Sequence, residues 1–191
     1  MRNVQIAFFS LSLLAAPSFA ADAPAPPPLD AAAALAATAG EWQGELQYRD
    51  YQSNSWQGLP MRVTVQAQPD GVTTLRTARY DDGPQTGIVT ITSVTLVDRA
   101  AGIASYAIAR TGRALDSGVA RIASFAPGND AVHWTLVTTE RRIDGDSMAQ
   151  VRETTTRDGD MLTTLKEVDL EGDGVDAFAP RNRTLLTWAG G

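Results

Sequence analysis

Gly40-Glu41-Trp42-Gln43-Gly44-Glu45-Leu46-Gln47-Tyr48-Arg49-Asp50-Tyr51 is the stretch on which the fold turns. Trp42, Gly44, Leu46 and Tyr48 fall on one parity, and Glu41, Gln43, Glu45, Gln47 and Arg49 on the other. Successive side chains of a strand point to opposite faces, so this alternation predicts a strand with one buried face. Segments rich in Val, Ile, Thr and Tyr continue after it, and predict further strands at 60–68, 72–80, 88–97, 103–110, 118–125, 131–142, 147–157, 160–169 and 181–188. Turn chemistry separates them, as in Gln68-Pro69-Asp70-Gly71, Asp144-Gly145-Asp146 and Arg157-Asp158-Gly159-Asp160. A meander of about ten strands without covering helices must curl on itself to hide its edges. The expected fold is therefore all-β, an antiparallel up-and-down barrel, with a two-sheet sandwich as the alternative.

Before the first strand the composition changes twice. Arg2, the apolar run Ile6 to Leu14 and the small residues of Ser18-Phe19-Ala20 have the layout of a signal peptide, with cleavage expected after Ala20. The run is broken by Ser10, Ser12 and Pro17, which argues against a retained anchor. Residues 21–29 hold three successive prolines and read as an extended leader. Asp30 is placed to cap a short alanine helix that Gly40 would stop, so 30–191 is expected to form one barrel domain. A periplasmic or secreted location follows.

The chain has no cysteine, which closes the lipoprotein route and any disulfide framework. About 170 residues remain after cleavage, enough for one domain to bury its own core. The net charge is −6, and one unit more negative once Arg2 is removed, which disfavours nucleic acid and anionic membrane surfaces. An outer-membrane barrel needs an apolar face on every strand. The strands at 147–157 and 160–169 have none, because polar residues occupy both parities, so the barrel is not expected to span a membrane.

Gly40-Glu41-Trp42 at the start of the first strand, a short helix before it and a basic residue in Arg181-Asn182-Arg183-Thr184-Leu185-Leu186 resemble the sparse signature of lipocalin-like barrels, the calycin superfamily. The resemblance extends from about Ala31 to Trp188. It implies that Trp42 closes one end of the barrel and that Arg183 packs across its indole, a cation–π contact of about 0.5–2 kcal/mol. The Thr-Asp-Tyr-like motif of the classical lipocalins is missing. About ten strands is closer to the fatty-acid-binding branch, or to bacterial lipocalin-like proteins without an assigned activity.

Chemistry-bearing residues are few. His133 is the only histidine; it alternates with Trp134 and is expected to point outward, and no Gly-x-Ser-x-Gly elbow offers it a serine. No metal, cofactor or catalytic residue is expected. Asp169-Leu170-Glu171-Gly172-Asp173-Gly174 starts like a calcium loop, but Pro180 stands where the bidentate carboxylate belongs, so it reads as an acidic turn.

If Trp42 faces inward, so does Tyr48, and the mixed strands could send Arg76, Tyr80, Arg152 or Glu167 after them. Inward charges are costly unless paired or met by a ligand. They would imply a cavity for a carboxylate, whereas the opposite register puts the arginines outside with Thr and Ala within. The first reading is a monomeric carrier of a small apolar or amphipathic molecule, with Tyr48, Met61 and Trp134 on the wall and Arg76 or Arg152 as anchor. An isomerase- or decarboxylase-like enzyme, which the resemblance also admits, would need Tyr48, Arg152 and Glu167 to converge. An interaction protein with a filled core is the third.

Overall fold

The computed structural model describes residues 29–191, so the expected signal segment and nearly all of the Pro-rich leader lie outside the described residues. A helix α1 (Ala31–Ala36) precedes ten strands: β1 (Gly40–Asp50), β2 (Ser55–Ala67), β3 (Thr73–Asp81), β4 (Ile88–Asp98), β5 (Ile103–Arg110), β6 (Asp116–Pro127), β7 (His133–Asp144), β8 (Ser147–Asp158), β9 (Met161–Leu170) and β10 (Ala179–Gly190). Each strand pairs antiparallel with its neighbours in sequence, and β1 also pairs with β10, which closes the barrel. The expected architecture is the observed one. Closure leaves no free sheet edge.

Two local differences have plain causes. β2 starts at Ser55, because Trp56 to Leu59 continue the ladder beside Arg49 to Leu46 and Pro60 sits inside the strand opposite Glu45. The connection from β3 to β4 holds a single helical turn, α2 (Gly83–Thr86), with Pro84 in its first turn, where its missing N–H costs nothing.

The α1 end of the barrel is the packed end. Asp30 caps the helix by accepting from Ala33 N at 2.8 Å, and is itself held by Arg99 Nε at 2.6 Å. Ala31 and Ala34 join the core cluster of Trp42, Val63, Trp134 and Leu186, the small side chains letting the helix sit close against the strand ends. Trp42 is 1 % exposed; its indole N–H donates to Thr38 O at 2.9 Å and its ring meets Trp188 edge-on at 5.0 Å. Gly44 is needed nearby, because a Cβ there would run into the backbone carbonyl of Leu185 on β10.

Candidate ligand cavity

Register decides which residues line the interior. Trp42 stands opposite Trp188 and Val63, which fixes the inward parity of β1, β2 and β10. Carried around the ring, the inward positions are Val65 and Arg76, then Ser93 and Ile108, with Thr138, Glu153, Lys166 and Asn182 across from them. In the closed order, β3 and β8 are separated by five steps in either direction. Arg76 lies near the middle of β3 and Glu153 near the middle of β8, so they face each other across the barrel.

These two charges have no protein partner. Neither forms an ion pair within 4.0 Å or a side-chain hydrogen bond among the described residues. Arg76 is half-buried, and no buried polar side-chain atom is left unsatisfied among the described residues, so its guanidinium opens onto accessible space. Glu153 likewise keeps more than a third of its surface open. Yet desolvation is the largest influence on both: it pushes the Arg76 guanidinium down and the Glu153 carboxyl up. A side chain is open and deep at once when it lines an internal cavity. Lys166, Arg142 and Arg76 pull the Glu153 carboxyl back toward ionisation and Glu140 opposes them, with burial prevailing.

A ten-stranded ring with strands about 4.8 Å apart and tilted by about 40° is roughly 20 Å across between opposite backbones. An arginine and a glutamate laid end to end do not bridge that span, which accounts for the missing ion pair.

Arg110 also takes the inward parity, at the open end of β5 near Tyr48 and without an ion pair among the described residues, whereas the charges nearer mid-height are satisfied. Tyr106 donates to Glu140 at 2.8 Å and accepts from Arg142 at 2.6 Å, while the other arm of Arg142 holds Asp116 at 2.5 Å. Burial, the hydrogen bond to Glu140 and its charge push the Tyr106 phenol far above its ordinary range, so it serves as a neutral donor. Gly118 makes this arrangement fit: it pairs with Tyr106 across β5 and β6, and a Cβ there would strike the phenol. Nearer the open end, Asp144 takes Lys166 Nζ at 2.6 Å and Arg181 Nη2 at 2.7 Å. Burial works against the Asp144 carboxylate, but the hydrogen bonds and charges of Lys166 and Arg181 outweigh it and lower its pKa. The register shift between Pro180 and Asn182 leaves Arg181 as the extra residue of a bulge.

The other anticipated residues divide between the faces. Tyr48 is on the inward parity at the end away from α1 and is 44 % exposed; burial and the nearby Tyr80 and Asp82 raise its phenol. Met61 and Tyr80 are buried cross-strand neighbours below it. Trp134 is buried at the packed end, its indole donating to Ala131 O at 3.1 Å and its ring tilted against Phe125. Arg152 does not reach the interior: Val151 and Glu153 take the inward parity, and Arg152 pairs outside with Glu167 at 2.8 Å under the Phe178 ring. The Tyr48, Arg152 and Glu167 cluster is therefore not assembled. His133 is on the outer wall beside Asp130 and Asp158.

Arg183 also differs from expectation. It lies over Trp56 at 4.2 Å and donates to Gln47 at 2.6 Å, because its parity is opposite that of Leu186 and Trp188. The cation against Trp42 comes from β8: Arg157, 7 % exposed, sits 5.3 Å from the Trp42 ring and 6.0 Å from Trp188. It also donates to the carbonyls of Ala37 and Gly159, tying the end of α1 to the β8–β9 turn.

Two grooves mark the outer wall, of about 430 Å³ beside Thr90, Arg113 and Leu115 and about 760 Å³ beside Gly44, Arg62, Arg79 and Ile88. Arg62, Arg79 and Arg113 are solvated there, so neither groove gathers charges that need a ligand as the interior does.

No described protein family matches the chain, and no curated protein does. Among solved structures it is similar to the crystal structure of Rv2717c from M. tuberculosis, with 16 % identity and a TM-score of 0.57, over 85 % of this chain and 99 % of that one. At that identity the likeness is one of fold.

Proposed function

We propose that the barrel is a carrier that takes a small amphipathic molecule into its interior, and that it works after export. The observation that carries the reading is the pair of unpartnered charges at mid-height, Arg76 and Glu153, beside Arg142, Glu140, Lys166 and Asp144, whose charges are paired. Keeping such charges away from bulk water costs stability, and a ligand that meets them returns it. Leu46, Leu59 and Met61 supply apolar wall above a floor sealed by Trp42 and Arg157. That floor, a tryptophan early in the first strand under a buried cation, supports the lipocalin-like reading even though the cation is not the one the resemblance implied. The outer wall presents Arg152–Glu167 and Arg141–Glu171 to the surroundings, in keeping with water rather than lipid. Export rests on the layout of residues 1–20.

The test is native mass spectrometry of protein collected from an exporting host, paired with saturable binding of 8-anilinonaphthalene-1-sulfonate (ANS) to stripped protein. A co-purified small molecule, or one ANS per barrel that weakens in Arg76→Met, is expected. Protein that carries nothing and binds no ANS refutes the carrier.

A further inference from the structure

Between the packed floor and the open end the inward row runs through hydroxyls: Ser93 beside Arg76 on one wall, and Thr155, Thr164 and Thr184 beside Glu153 on the other. Thr155 and Thr164 are within 3.2 Å of each other. Arg142 is taken by Asp116, Tyr106 and Glu140, and Lys166 and Arg181 by Asp144. What remains for a guest at mid-height is a cation on β3 and a carboxyl on β8, on opposite walls and too far apart to meet.

A guest with one polar group satisfies half of this. A simple carboxylate would meet Arg76, but it would lay its chain against Glu153 and leave that carboxyl without water or partner, at a cost. An alkylamine has the converse problem. Resting on the carrier reading, we infer that the ligand is zwitterionic: a compact molecule with an anionic group at Arg76 and an ammonium group at Glu153, spanning the barrel at mid-height. Two charge-assisted hydrogen bonds fix it, each removing a cost the empty barrel bears. The Thr hydroxyls accept the remaining ammonium protons, and the apolar linker lies along Leu46, Leu59 and Met61.

The experiment displaces ANS from stripped protein with ω-aminoalkanoates from 4-aminobutanoate to 8-aminooctanoate, each beside the carboxylate and the alkylamine of the same chain length. At the best-fitting length the zwitterion is expected to bind at least about tenfold tighter than either single-charge partner. In Glu153→Gln it falls to parity with the carboxylate, whose own binding is unchanged or improved. In Arg76→Met it falls to parity with the amine. A carboxylate that binds as tightly as every zwitterion overturns the inference, as does a zwitterion preference that survives Glu153→Gln. If ANS binds but nothing in the panel displaces it, the zwitterion is refuted and the carrier stands. If ANS does not bind at all, both fall.

Discussion

Replacing Arg76 in the empty barrel separates a cavity that waits for a ligand from an interior that is internally paired. Truncating one partner of a buried ion pair costs about 3–5 kcal/mol, because the other charge is stranded. Arg76 and Glu153 are not within pairing distance, and desolvation of the guanidinium outweighs the attraction of the distant Glu153 carboxylate, so the charge is a liability to the empty fold. Arg76→Met keeps most of the apolar stem and removes the charge. Replacing buried charges by apolar groups gains up to about 4 kcal/mol; because the Arg76 side chain is only partly buried, the expected change is between none and about 2 kcal/mol of added stability. For a domain of this size that is a rise in Tm of as much as about 8 °C. Glu153→Gln should behave alike, and the double variant should equal the sum of the singles to within about 1 kcal/mol, since groups out of contact couple weakly. The assay is urea unfolding of stripped protein followed by tryptophan fluorescence, with m-values compared to confirm a single transition. A loss of about 3 kcal/mol or more in Arg76→Met would mean that the charges are paired inside the protein, and the case for a ligand would fail.

Three other outcomes follow from the same geometry. Arg157→Met removes two hydrogen bonds from a charged donor and two ring contacts; offset by relief of the burial that lowers its pKa, the expected loss is about 2–4 kcal/mol, read by thermal unfolding, and a variant as stable as the parent would refute its closing role. Gly44→Ala drives a methyl into the Leu185 carbonyl, a backbone atom that cannot turn aside; a loss of about 1–3 kcal/mol is expected, and full stability would mean that β1 and β10 are not so close. The Asp144 carboxyl is depressed in the folded state, so it contributes stability above its unfolded pKa that disappears as pH falls through the folded one; Asp144→Asn should flatten that acid limb, and an unchanged limb would contradict it.

Strand positions were legible because apolar alternation and turn residues are local signals, and β5 begins and ends where the alternation does. The inward face of β8 was not, since Gln150, Arg152 and Thr154 compete with Glu153 and Thr155 for a reading as polar outside. Only Ala149 and Val151, sharing parity with Glu153 and Arg157, carried the clue. Assigning the closing cation to Arg183 failed for a related reason. Its place in the last strand is right for the resemblance, but the parity of Leu186 and Trp188, fixed by pairing with Gly44 and Trp42, turns it outward. Long-range register is decided by closure of the whole ring, which no single strand encodes.

The pH dependence of the empty barrel gives the last independent check. The folded-state pKa of Glu153 is raised, so between its unfolded and folded values the native protein holds the extra proton. Stability therefore falls as pH rises through the folded pKa, opposite in sign to the contribution of Asp144. A zwitterion that brings an ammonium group to Glu153 favours the ionised carboxylate, so ligand binding should release a proton there, and the falling limb should vanish in saturated protein. Glu153→Gln should lack the limb with or without ligand. Measuring unfolding across pH for the empty, saturated and Glu153→Gln proteins distinguishes this from a carboxylate ligand. Such a ligand would push the Glu153 pKa further up and steepen the limb, so a steeper limb on saturation would refute the ammonium assignment.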